Sequence, residues 1–166
     1  MFFRLTKTYV GFVTLACALA SPCFAGSEEI LVISPAPNKS ACVSASSKIG
    51  DDSFKSELCV RQGSFSPDKY VLKLNGDTVL QGIDDQTTSG IQASYKGKPI
   101  ALRCPPQNVS ANVTAAEIHK LVPSYPAEKV KEVVELMAGS SMPMEIGRLC
   151  QVSIGNEPAM KVQVLF

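Results

Sequence analysis

His119 is the only histidine in the chain, so any mechanism that activates a serine or cysteine through an imidazole base has to run through it. It stands between Ile118 and Lys120, among the polar positions of an amphipathic segment, and reads as a solvated side chain. The adjacent carboxylates Asp84 and Asp85, in GIDDQTTSG, are the other residues whose types could do chemistry. Paired carboxylates in a loop can hold calcium or divide acid and base roles. No D-x-D-x-D-G framework surrounds them, and a polar turn accounts for them equally. No catalytic residue is assigned, and the sequence shows no glycine-rich phosphate loop, dinucleotide fingerprint or tryptophan. The expectation is a non-enzymatic chain that carries no cofactor.

Cysteine is the next reactive type, and its use depends on the compartment. The opening MFFRLTKTYVGFVTLACALASPCFA places Arg4 and Lys7 before an apolar run from Tyr9 to Ala20 and ends in small residues. That is the layout of a secretory signal over residues 1–25, with cleavage after Ala25. The run is too short for a bilayer-spanning helix, which needs about 20 apolar residues, so no stable membrane insertion is expected once the signal is removed. Cys17 and Cys23 leave with it, and four cysteines remain: Cys42, Cys59, Cys104 and Cys150. None is spaced C-x-x-C, and with one histidine the set does not suggest a metal site. An even number in an exported chain reads as two disulfides. Of the three connectivities, Cys42–Cys59 with Cys104–Cys150 is preferred: the first pair flanks a local turn, and the second ties the strand before the helical segment to the strand after it.

The elements that must position these residues follow from periodicity. ILVI within EEILVIS is long enough for one strand, whereas the serine-rich stretch from Ala41 to Lys69 suggests two irregular strands or loops pinned by the first disulfide. YVLKLNGDTVLQGI is a hairpin turning at Asn75-Gly76, a dipeptide suited to the positive φ of a type I′ turn. A polar loop over 84–90 follows, then a second hairpin turning at Lys96-Gly97-Lys98. Pro105 and Pro106 end its second strand and start the crossing to two helices. The first begins with a capping box, Thr114 and Glu117, and the second carries an apolar stripe through Val130, Val133 and Met137. A third hairpin closes the chain, with Met160, Val162, Val164 and Phe166 alternating against Ala159, Lys161, Gln163 and Leu165, the pattern of a sheet with one buried face.

The expected fold is thus α+β over residues 26–166: a mostly antiparallel sheet of hairpins with two helices packed on one face and two disulfides. Basic residues are scattered singly along the chain, which argues against a nucleic-acid or anionic-membrane footprint. The sequons at Asn38, Asn108 and Asn112 would carry glycans only in a eukaryotic secretory route. The expected partner is another protein, with association of identical chains left open, in the periplasm or outside the cell. Inhibitors of hydrolases, immunity proteins and accessory envelope factors are of this class. The loop at Asp84, Asp85 and Ser89, joined by Lys96 and Lys98 at the next hairpin tip, is the expected contact site. The alternative is an assembly subunit that pairs through an exposed strand edge such as AMKVQVLF.

Overall fold

Two-residue turns organise most of the chain. The computed structural model describes residues 29–166; the expected signal peptide, with Cys17 and Cys23, lies outside the described residues. After β1 (Ile30–Ile33), the strands β2 (Ser40–Ile49) and β3 (Asp52–Arg61) form a hairpin, as do β4 (Lys69–Leu74) and β5 (Asp77–Ile83). Asn75 and Gly76 both have positive φ, at 52° and 94°, as a type I′ turn requires. A short helix, α1 (Asp84–Ser89), leads to the hairpin of β6 (Ile91–Tyr95) and β7 (Lys98–Arg103). Its turn is the dipeptide Lys96-Gly97, with Lys98 already paired to Tyr95. Then come β8 (Pro106–Val109), α2 (Ala115–Leu121), α3 (Ala127–Met137) and a last hairpin of β9 (Met144–Ile154) and β10 (Glu157–Leu165).

The strands make two sheets. One has the order β1-β10-β9-β7-β6 with β8 also paired to β9, and the other has the order β2-β3-β4-β5. All pairs are antiparallel except β1 with β10, which runs from Ile30 opposite Lys161 to Ile33 opposite Val164. Leu58, Val60, Tyr70, Leu72 and Leu74 from the four-stranded sheet meet Ile100, Leu102, Val152, Ile154 and Val162 from the six-stranded one. Each fully buried aliphatic side chain there contributes roughly 2 kcal/mol. A second core, with Ile118, Val122, Tyr125, Val130, Val133 and Met137, fills the space between the helices and Val109 and Ile146 of the six-stranded sheet. The larger sheet is therefore the middle of three layers.

The α+β architecture, the helices near 115–121 and 127–137 and both disulfides agree with the sequence reading. The capping box is present: the Glu117 N–H donates to Thr114 Oγ1 at 3.3 Å, and Glu117 Oε2 accepts from the Thr114 N–H at 2.8 Å. The Thr114 N–H and, at 2.8 Å, the Thr114 hydroxyl both donate to that carboxylate and hold its pKa below the usual range. Four expectations are corrected. The serine-rich stretch forms the regular hairpin of two ten-residue strands β2–β3; Ala41 and Val43 stand opposite Val60 and Leu58, and Ala45 and Ser47 opposite Ser56 and Phe54, so the alternation was weak in hydropathy but complete in the pleat. Residues 84–89 are helical rather than a loop. The segment after Pro105 pairs with β9 before reaching the helices. Finally, Gln163 is buried, because the helix layer covers the side of β10 expected to face solvent.

Each disulfide joins residues directly opposite one another. Cys42 is the register partner of Cys59, and Cys104 follows the Arg103–Gln151 pair to meet Cys150. The bridges span 17 and 46 residues. In the chain-entropy account the smaller loop contributes about 3 kcal/mol and the larger about 4 kcal/mol. Replacing Cys104 and Cys150 together by alanine should therefore lower the urea midpoint more than the same change at Cys42 and Cys59. The reverse order would refute the assignment of their effect to loop length.

Candidate functional site

The structure does not bring the expected contact residues together. Asp84, Asp85 and Ser89 belong to α1, whereas Lys96 and Lys98 lie at the far end of β6, whose five residues span roughly 17 Å. At that tip Lys98 Nζ is 3.2 Å from Asp52 Oδ2, and Lys96 Nζ lies 5.3 Å from the centre of the Tyr95 ring. Tyr95 in turn donates its hydroxyl proton to Asp77 Oδ2 at 2.8 Å. These contacts tie three hairpin tips together and leave Lys98 engaged within the molecule.

Helix α1 is held from below as well as along its own backbone. The Thr87 and Thr88 hydroxyls donate to the Asp84 carbonyl at 3.1 and 2.9 Å, and Gln86 Oε1 accepts the Ile83 N–H at 3.1 Å. Threonine hydroxyls that bond back to the preceding turn let a polar segment close as a helix. Thr87 is fully buried, and its carbonyl accepts the Cys104 N–H at 2.7 Å. Arg148 completes the attachment. Its Nη1 donates to Thr88 Oγ1 at 2.8 Å, to the Asp84 carbonyl at 3.1 Å and to the Cys104 carbonyl at 3.3 Å, while Nε and Nη2 grip both oxygens of Glu145 at 2.6 and 3.1 Å. What reads in sequence as a presenting loop is a plug in the end of the sheet sandwich. The signal that would have revealed it, Arg148, lies 60 residues away from Thr88.

The groups around this plug favour fixed charges over proton transfer. Burial pulls the Arg148 pKa down, but the Glu145 hydrogen bonds, with Tyr70 and Asp84 nearby, leave it above its ordinary value, so the guanidinium stays charged. Tyr70 is fully buried and no described residue hydrogen-bonds its hydroxyl; burial pushes its phenol far above the usual range. Burial also raises the Asp68 carboxyl, which the Gly63 N–H partly offsets by donating to Oδ1 at 2.9 Å. His119 is exposed on α2, apart from all of these. Among the described residues, the grouping with metal-ligand types in reach of one another is Cys42, Glu57 and Cys59, and both sulfurs are already spent on the disulfide.

Two surface features were not anticipated. Among the described residues, strand β1 is the outermost strand of its sheet, with Ile30 and Val32 each 44% exposed. They open on a cavity of about 230 Å³ bounded by Pro123, Ser124 and Gln163. The expected open edge, AMKVQVLF, is instead covered by β1 along Lys161–Val164, which moves the free edge to residues 30–33. The other feature is Phe65, fully exposed at the tip of the loop between β3 and β4. Among the described residues no helix is long and apolar enough to cross a membrane.

Comparison with family models, curated proteins and solved structures gives no match to this chain. The site is therefore argued from its own geometry. If Arg148 anchors α1, Arg148→Met should cost about 3 kcal/mol, as expected when one partner of a largely buried charge pair is removed. Asp85→Ala, at an exposed position, should stay within about 0.5 kcal/mol. Equal urea midpoints for the two variants would show that α1 stands without the arginine.

Proposed function

We propose that this chain is an exported, non-enzymatic protein-binding module that accepts an extended segment of its partner on the free edge of β1. The observation that carries this reading is the edge itself. Ile30, Leu31, Val32 and Ile33 form the outer strand of the six-stranded sheet, and no backbone hydrogen bond to them is made from the outer side among the described residues. Soluble proteins usually blunt such an edge with charge, proline or a bulge. Within Ile30–Ile33 there is none of these; Glu29 and Pro35 bracket the segment and confine the open stretch to a few residues.

An incoming strand would gain main-chain hydrogen bonds from β1 and could place one apolar side chain in the cavity beside Ile30 and Val32. Those two contributions, backbone pairing for affinity and a side-chain pocket for selectivity, are what strand addition uses. The two disulfides support a chain that folds in an oxidising compartment. Periplasmic or extracellular location, and an assembly role rather than an inhibitory one, rest on this reading and the leader sequence.

A photo-crosslinking residue introduced at Val32, with a second version at Asp85, tests it in the exporting cell. Adducts mapped by mass spectrometry should form from position 32 and should be lost when Ile30→Lys is added, with the melting temperature unchanged. Adducts from position 85 alone would move the contact to α1 and overturn the edge reading.

A further inference from the structure

Strand pairing gathers cations that are scattered in the sequence. Phe54, Ser56, Leu58 and Val60 of β3 and Tyr70, Leu72 and Leu74 of β4 are buried, so Lys55, Glu57, Arg61, Lys69 and Lys73 share the opposite face of their sheet. Lys48 of β2 lies on the same side, two register positions beyond Ser46–Lys55. Glu57 is the one acid of that set and is paired with Lys73 at 2.8 Å. Asp52 and Asp77 pair with the inward residues Ile49 and Leu74 and so belong to the other side. The face carries five cations against one anion, in a chain whose residues 26–166 hold 14 basic and 15 acidic side chains.

The charge culminates at one end. Arg61 and Lys69 are direct cross-strand partners, a like-charge pairing that costs stability, and neither takes part in an ion pair among the described residues. The loop between them is rigidly built. The Gly63 N–H donates to Asp68 Oδ1 at 2.9 Å, the Asn38 side-chain amide donates to Ser64 Oγ at 2.6 Å, and the Asn38 N–H donates to the Gln62 carbonyl at 2.9 Å. A Cβ at position 63 would lie 1.9 Å from the Ser66 carbonyl oxygen, so only glycine closes this turn. The braced loop holds Phe65 clear of the protein, at 106% exposure. Beneath it Arg61, Lys69 and Asn38 share a polar cavity of about 100 Å³ with Gly63, Ser66 and Pro67.

We propose that this face docks on a bilayer surface rich in anionic phospholipid, with headgroup phosphates on Arg61, Lys69 and the neighbouring lysines and the Phe65 ring at the headgroup–acyl boundary. Charge complementarity supplies the attraction, at the scale of a polybasic surface. A lone protruding aromatic buries itself in a fluid apolar boundary without a shape-matched receptor. An acidic protein would satisfy the lysines but would need a pocket fitted to one isolated ring. A single-stranded nucleic acid would call for stacking surfaces along the face, and the outward positions of β3 and β4 hold none; a duplex would meet the cations with phosphates but offer the protruding Phe65 no apolar layer to enter. The chain would lie on the membrane rather than span it. This surface is separate from β1, so either reading can fail alone.

The test uses protein recovered after export, sedimented with vesicles of mixed phosphatidylglycerol and phosphatidylcholine or of phosphatidylcholine alone. Binding should require phosphatidylglycerol and be released by high salt. Arg61→Gln with Lys69→Gln should weaken partition about 30-fold. Phe65→Ser should weaken it about tenfold. All three side chains are exposed, so melting temperatures should hold. Equal binding to neutral vesicles, or an Arg61/Lys69 double variant that partitions like the parent, would overturn the proposal. Salt-sensitive retention on immobilised polyglutamate without vesicle binding would also overturn it, assigning the face to an acidic protein.

Discussion

Strand β9 is hydrogen-bonded along both edges, and the other elements take their places from it. On one side it pairs with β10. On the other, β7 covers Gln151–Ile154 and β8 covers Met144–Arg148, two halves of a partner strand interrupted at Cys104-Pro105. The disulfide from Cys104 to Cys150 closes that break from within the core. A register shift between Gln107 and Asn108 leaves Ile146 without an opposite residue. A bulge of this kind re-aims side chains: Cys150, Val152 and Ile154 enter the core between the sheets, while Ile146 enters the core beneath the helices. One strand thus serves both cores, and the helix layer has somewhere to sit.

Legibility in the sequence followed the range of the interactions. Asn75-Gly76, the Thr114–Glu117 box and the Val130–Val133–Met137 stripe act within a few residues, and each appears where its local chemistry placed it. The disulfides were reached by asking which cysteines bracket which segments. The helix over Asp84–Ser89 was hidden because its composition is that of a loop; what holds it is a guanidinium from β9, and no window around Asp84 contains Arg148. Likewise ILVI announced a strand but not its position, since parallel pairing with β10 joins residues more than a hundred positions apart.

The same limit applies to charge. Lys55, Arg61, Lys69 and Lys73 are separated in sequence by serines, apolar residues and a loop, and a linear count finds no cluster. A period of two places every second residue on one face, and register then stacks those of adjacent strands. Because Tyr70, Leu72 and Leu74 must face inward for the core, the alternate positions Lys69, Val71 and Lys73 must face outward together. The positive face follows from the hydrophobic pattern, yet nothing in the packing requires those outward positions to be cationic. The direct opposition of Arg61 and Lys69 works slightly against stability, which separates this feature from the demands of folding.

Gln163 shows how buried polarity fixes where the free edge lies. Its amide nitrogen donates to Gln107 Oε1 at 2.6 Å and to the carbonyls of Arg148 and Val164 at 3.2 and 3.3 Å. Gly147 makes room for it: a Cβ there would come within 3.1 Å of that nitrogen and 2.5 Å of the Val164 oxygen. Slipping β10 by one residue would exchange its faces, pressing Lys161 and Gln163 into the apolar space between the sheets. Burying an unpaired amide costs about 1–3 kcal/mol and an unpaired ammonium more, so the register is strongly held. Since β1 aligns on Lys161–Val164, the same constraint sets the height of Ile30 and Val32 against Pro123 and the cavity beside it. The position of the open strand is in this way dictated by a buried glutamine whose amide is spent on contacts within the chain.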